Sequence, residues 1–267
     1  MSSSYILDWE RLRAQLRDIL RTKGKTVSDE APMATLVPLV NSVGINNVIN
    51  NFINNVDFDL IDDEGIITTV NSTRLSGASV KLKRLVLPAL QSCSSQAFQN
   101  STVTSATIAT ENPDTCIIGA SAFSPCTSMT EFIGGNIRSN SNDFIGGCTA
   151  LEKIVFNSFY TENYAFRNNP NLKIVDFGYS PIIKNASHFN NSPAIKAIVI
   201  RNTEGVITLD GTNPFVWLLN NVTGWYIYVP DELVEDYKVA LQWSTFADYF
   251  APLSEYDEEA ILNGGGE

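Results

Sequence analysis

Five phenylalanines, Phe98, Phe123, Phe144, Phe166 and Phe189, open the phrases FQNSTV, FSPCTSM, FIGGCTAL, FRNNPNL and FNNSPAI, at spacings of 25, 21, 22 and 23 residues. A unit this short cannot bury its own apolar side, so a chain that repeats it must stack one unit on the next. After each phrase comes a short apolar run. The pattern is plainest in Leu82, Leu85 and Leu87, in Leu151, Ile154 and Phe156, in Leu172, Val175 and Phe177, and in Ile195, Ile198 and Ile200. Weaker copies start at Val103 and Met129, and WYIYVP (225–230) closes the series, so seven strands are expected. The copy from 129 to 150 lacks its second half of regular apolar positions, which predicts local irregularity there.

Charge narrows the partners. Of 267 residues, 18 are Lys or Arg and 29 Asp or Glu, a net charge of −11. Nucleic acid and anionic membrane surfaces, which bind through neutralising cations, are therefore not expected. No stretch approaches the roughly 18 consecutive apolar residues of a membrane span. MSSSYILDWERLRAQL has acids and arginines where a secretory signal would have an apolar run, so no Sec-type signal is read. The four cysteines, Cys93, Cys116, Cys126 and Cys148, are expected to be reduced.

Ala122-Phe-Ser-Pro-Cys126-Thr-Ser-Met129 and Leu85-Val-Leu-Pro88 resemble the BspA-like leucine-rich repeats of bacterial surface proteins, over about residues 80–230. Asn or Ser often replaces the Cys. The resemblance implies a right-handed solenoid with a parallel sheet along one face, and no catalysis. Residues 227–256 are similar to the segment that closes such repeats in many gut-bacterial and phage proteins. Residues 19–43 look like a short helical module of tailed-phage fibre and tail-associated proteins. Together these imply a virion protein, made in the host cytoplasm and released by lysis. A bacterial cell-surface adhesin is the alternative.

The ends differ from the middle. Residues 1–25 carry a charge of +3 and residues 231–267 a charge of −9. Tyr5, Trp9, Leu12, Leu16 and Ile19 fall on one helical stripe. Two heptads need a partner surface, either this chain's own or an attachment site. Met33, Leu36, Val37, Val40 and Val43 predict a second helix, and INNVINNFINNV (45–56) has helical spacing in an Asn-rich setting. At the other end, Asp231 is expected to cap a helix whose Leu233, Val234, Tyr237 and Leu241 cover the last repeat. The tail EYDEEAILNGGGE is expected to be mobile.

Catalytic and metal readings are weak. His188 is the one histidine, inside a repeat turn, with no serine and carboxylate set beside it by the sequence. Cys126 and Cys148 hold nearly equivalent repeat positions and read as a buried ladder rather than a zinc site. The acidic run DFDLIDDEG (57–65) lacks calcium-loop spacing and reads as a solvated turn. The pairs Gly134-Gly135 and Gly146-Gly147 read as turns.

The outward sheet face carries more information. The residue between the last two apolar positions of each copy forms the column Val86, Thr107, Ile133, Val155, Asp176, Val199, Tyr228, mostly apolar. Left in water, such a strip marks an interface; the chain's own ends are the competing cover. The expected organisation is a helical attachment or oligomerisation module (1–79), a leucine-rich-repeat solenoid of α+β class with six to seven coils (80–230), and a helical cap with an acidic tail (231–267). The expected function is non-enzymatic, without cofactor or metal. Expected partners are other virion proteins through the N-terminal helices, a host surface protein or glycan, and further copies of the chain.

Overall fold

The computed structural model describes residues 57–62, 65, 67–71, 75–77, 81–139, 142–161, 164–184, 188–210 and 214–264, with short pieces at 14, 17–18, 21 and 26–29. The stripe of Tyr5, Trp9, Leu12, Leu16 and Ile19 lies outside the described residues. So do the apolar positions expected to form the next two helices.

The strands are β1 (Phe58–Ile61), β2 (Thr69–Val70), β3 (Leu82–Leu87), β4 (Ser92–Cys93), β5 (Ser105–Ile108), β6 (Cys116–Ile118) and β7 (Glu131–Ser139). They continue with β8 (Lys153–Thr161), β9 (Ile174–Asp176), β10 (Ile182–Lys184), β11 (Ala197–Val199), β12 (Thr208–Asp210), β13 (Tyr226–Val229) and β14 (Phe250–Pro252). Three six-residue helices are described, α1 (Val216–Asn221), α2 (Val234–Val239) and α3 (Glu258–Asn263). A twelve-stranded sheet runs β1-β3-β5-β7-β8-β9-β11-β13-β14, with β2, β4 and β6 as a branch that joins at β7. Its strand pairs are parallel. The seven strands read from the repeats are all there, each beside the next.

One inward column explains why they stack. Leu85, Ala106, Phe132, Ile154, Val175, Ile198, Ile227 and Phe250 are register partners in succession, and all are buried. Behind them runs the phenylalanine spine. Phe98 stacks on Phe123 at 5.0 Å between ring centroids, Phe123 meets Phe144 at 6.0 Å, and Phe166 meets Phe189 at 5.9 Å. Between Phe144 and Phe166 the contact is relayed by Phe159, at 6.0 and 5.2 Å. Burying one such side chain is worth about 1.5–3 kcal/mol. Asn100, Asn168 and Asn191, each two residues after a spine phenylalanine, have φ of 57, 61 and 60°. Asn tolerates this left-handed conformation better than most residues, which gives the Asn-rich repeat phrases a backbone reason.

Beside the spine, buried polar side chains tie coil to coil. The Cys126 N–H donates to the Cys148 sulfur at 3.2 Å, and the Cys148 N–H to Asn169 Oδ1 at 2.8 Å. In the other direction the Cys126 and Cys148 thiols donate to the carbonyls of Phe98 and Phe123. Ser192 does the same to Phe166 at 3.2 Å. All four cysteines are free and buried. Burial pushes the Cys93 and Cys116 thiols up to about 12, which leaves them unreactive.

Several local expectations need correction. The sheet starts at Phe58, inside the acidic run and ahead of the boundary drawn at 80. Asp59 accepts from the Arg84 N–H at 3.1 Å, and buried Asp62 from the Ile67 N–H at 2.7 Å, so these acids satisfy backbone donors instead of forming a solvated turn. The irregularity expected in the 129–150 copy is a change of partner within β7, which is among the longest strands and pairs with β8 at eight positions. Its Gly134 and Gly135 lie within that strand. Gly135 marks where β7 leaves β5 for β6, and a Cβ there would collide with the Ala109 carbonyl oxygen.

The C-terminal end is closed by short segments, the 3-10 helices Asp231–Leu233, Ser244–Tyr249 and Leu253–Glu255 with α2 and β14, in place of one continuous helix. Buried Trp243 and Phe246 pack against Phe215, Phe246 also meets Trp225, and buried Tyr237 packs against Trp243. The Trp243 indole donates to the Ile207 carbonyl at 2.8 Å. Asp231 caps no helix; its carboxylate accepts from the Ser254 N–H at 3.0 Å. Leu241 is 94% exposed, because α2 ends at Val239 and the turn that follows sends Trp243 inward in its place.

Candidate functional site

Strand register places the outward column read from the sequence in one line. Ile61, Val86, Thr107, Ile133, Val155, Asp176, Val199, Tyr228 and Ala251 are partners from strand to strand. A parallel sheet with one face packed by the spine leaves this other face to be covered or used.

Over its C-terminal half the chain covers itself. Buried Ile174, Ala197 and Val199 form a cluster against Leu253, Tyr256, Ile261 and Leu262. The segment from 253 to 263 is thus folded against the sheet, where the sequence suggested a mobile tail. Asp257 caps α3 by accepting from the Ala260 N–H at 2.9 Å, and Gly264, with φ of 73°, ends it. Lys153 on β8 fastens the segment by pairing with Glu258 at 2.7 Å while also holding Glu131 at 2.6 Å. The Lys173 ammonium donates to the Leu262 carbonyl at 2.7 Å.

Asp176 and Val199 are therefore no part of an exposed docking surface. Val199 is 0% exposed and Asp176 is 2% exposed. Burial pushes the Asp176 carboxyl up, against the opposing pull of Arg201, whose Nε donates to it at 2.8 Å. Tyr228 is half-buried, its ring 5.2 Å from that of Tyr256.

The other half differs. Ile61, Val86, Thr107, Ile133 and Val155 are all half-buried. Four strand steps carry this row about 19 Å across the sheet. Its rim is charged, with Arg84 on β3, Glu131 on β7 and Lys153 on β8 at the border with the covered half. Ile61 was missed from the sequence. The alternation in DFDLI signalled it, but five acids in nine residues hid the strand.

The catalytic candidates stay apart from this face. His188 is buried beside Phe166 and Phe189. Its Nε2 is held by the Lys184 carbonyl, and its Nδ1 has no partner among the described residues, so it is only half satisfied. Burial lowers its pKa from 6.5 to about 4. Among the described residues no group of three or more His, Cys, Asp or Glu side chains is arranged to hold a metal ion. No described helix is long and apolar enough to cross a membrane.

Comparison with known families matches residues 64–173 and 91–210 to the BspA type leucine-rich repeat region, in six copies. No match to a curated protein was found. The matched stretches span 64–210, more than half of the chain, and coincide with the stacked strands and the phenylalanine spine, so the chain belongs to the BspA-type leucine-rich repeat family.

Proposed function

We propose that this chain is a non-enzymatic binding protein, a structural or host-recognition component of a tailed-phage virion, and that Val86, Ile133 and Val155 form the floor of its docking face for another protein. The observation that carries this reading is the outward column. Its C-terminal half is covered by apolar side chains of the chain itself, and its other half is the same kind of surface left half-exposed. Contiguous apolar strips rimmed by charge are typical of protein interfaces. The virion context rests on the likeness of residues 19–43 and 227–256 to segments of phage proteins. The repeat itself, similar to those of bacterial surface proteins, favours a second reading as a cell-surface adhesin.

Antibody labelling of purified tailed particles and of the bacterial envelope separates the two: label on particles supports the first reading, label on the envelope alone the second. The docking face is tested by Ile133→Glu with Val155→Glu, which should abolish incorporation or partner capture while leaving the circular dichroism spectrum unchanged. Attachment through Tyr5, Trp9, Leu12, Leu16 and Ile19 is tested by deleting residues 1–25. The repeats should stay folded, and oligomer formation or incorporation should be lost.

A further inference from the structure

The covered half of the outward face shows what kind of segment this sheet accepts. Residues 253–262 lie across β9, β11 and β13 with Leu253, Tyr256, Ile261 and Leu262 against the strands, and Ile174, Ala197 and Val199 beneath them are 0% exposed. In the other half the row Ile61, Val86, Thr107, Ile133 and Val155 is only half-buried.

Residues 1–25 match that open row in length and in charge. Tyr5, Trp9, Leu12, Leu16 and Ile19 recur at helical spacing. At 1.5 Å of helical rise per residue this stripe is about 21 Å long, against about 19 Å for the row. The stripe from Met33 to Val43 would span only about 15 Å and is interrupted by Pro38, and residues 45–56 carry no charge. With +3 on residues 1–25 and −11 on the whole chain, the remainder carries −14. Bodies of that charge repel one another, and a basic segment offsets the repulsion where it docks. Along the rim of the open row acids outnumber cations. Glu131 and Glu258 share Lys153 at 2.6 and 2.7 Å, while Asp57 pairs with Lys83 and Asp59 with Arg84, both at 3.7 Å. Arg13 and Arg17, four residues apart, fall along one flank of the stripe and would meet this surplus.

We propose that the apolar stripe of residues 1–25 docks on the open outward half of a second copy, as residues 253–262 cover the other half in their own chain. The inference rests on the docking reading above and deepens it by naming the partner as another copy of this chain. Two observations favour a second copy over the segment's own chain. Val86, Ile133 and Val155 stay half-exposed in the single chain. Within the segment, Arg21 pairs with Asp18 at 3.9 Å and turns to the Val27 carbonyl at 2.7 Å and Asp29 at 2.8 Å. The contact is head-to-tail, a stripe on one copy and a face on the next, so it builds rings or open chains rather than two-fold dimers.

The test uses two variants of the full chain. Trp9→Glu with Leu16→Glu breaks the stripe and keeps the face, and Ile133→Glu with Val155→Glu breaks the face and keeps the stripe. In size-exclusion chromatography with light scattering the parent should form oligomers as its concentration rises. Each variant alone should run as a monomer with an unchanged circular dichroism spectrum. An equal mixture should give a 1:1 dimer, because the intact face of one variant takes the intact stripe of the other, which also shows that both are folded. Arg13→Glu with Arg17→Glu should weaken assembly about tenfold, and added salt should weaken assembly of the parent. A monomeric parent, a mixture that stays monomeric, or assembly that survives the stripe variant overturns the proposal. If the parent is monomeric and Ile133→Glu with Val155→Glu still abolishes incorporation into particles, the docking reading stands with a different protein as the partner.

Discussion

Val155 and Val199 stand two strands apart in the same outward column, with the same side chain and the same register, yet Val155 is half-buried and Val199 is fully enclosed. Nothing in either repeat accounts for the difference. It comes from residues 253–262, which reach back over β9, β11 and β13 and stop at Lys153. Inside the molecule the two halves are alike, since one phenylalanine spine and one inward column run beneath both. A repeat therefore sets what faces inward, and the non-repeating ends decide which part of the outward face remains available to a partner.

The comparison can be broken from beneath. Phe166 touches Phe159, Phe177 and Phe189 and so belongs to both halves. Phe166→Ala should cost about 3–5 kcal/mol, with a single cooperative loss of structure in thermal unfolding. A variant that melts with the parent would mean that the spine does not join the halves.

The sharper pair of substitutions acts on the column. Val199→Glu places a charge under the C-terminal segment with no partner, and should cost about 3–4 kcal/mol in urea unfolding. Val155→Glu should cost about 1 kcal/mol or less, as a change at a half-exposed position. It should instead show its effect in partner binding. Equal costs at the two sites would erase the distinction between covered and open halves.

Acid sensitivity belongs beneath the covered half, where His188 is buried. Its pKa is held at about 4 when folded against 6.5 when free, so the unfolded chain takes up a proton over a range in which the folded chain does not. Stability should be complete above about pH 6.5 and fall by about 3 kcal/mol as pH drops to 4. His188→Gln should remove that part of the loss, seen as a flatter melting temperature between pH 7 and 4. An identical slope in the variant would mean that His188 is not the group responsible.

Much of the inner architecture was legible because it repeats. Phe98 to Phe189, the seven strands and the Cys126–Cys148 neighbourhood follow from a period near 22 residues, and the outward column follows from counting one position within it. What escaped the sequence depends on single tertiary contacts. The Glu258–Asn263 helix is under two turns long and owes its place to Ile261, Leu262 and two lysines more than 80 residues away. Leu241 looked like a core position on a continuous helix, and the turn at Ala240 exchanged it for Trp243. The β1 strand was masked by Asp57, Asp59 and Asp62, whose charges read as solvated until Arg84 and the Ile67 amide are placed beside them.

Hydroxyl-radical footprinting of the free, full-length chain, read residue by residue by mass spectrometry, tests the division of the outward face most directly. Val86, Ile133 and Val155 should be oxidised readily, and Ile174 and Val199 should be protected until residues 253–267 are removed. Protection of Val86, Ile133 and Val155 in the intact chain would contradict the account, because the docking face would then already be covered.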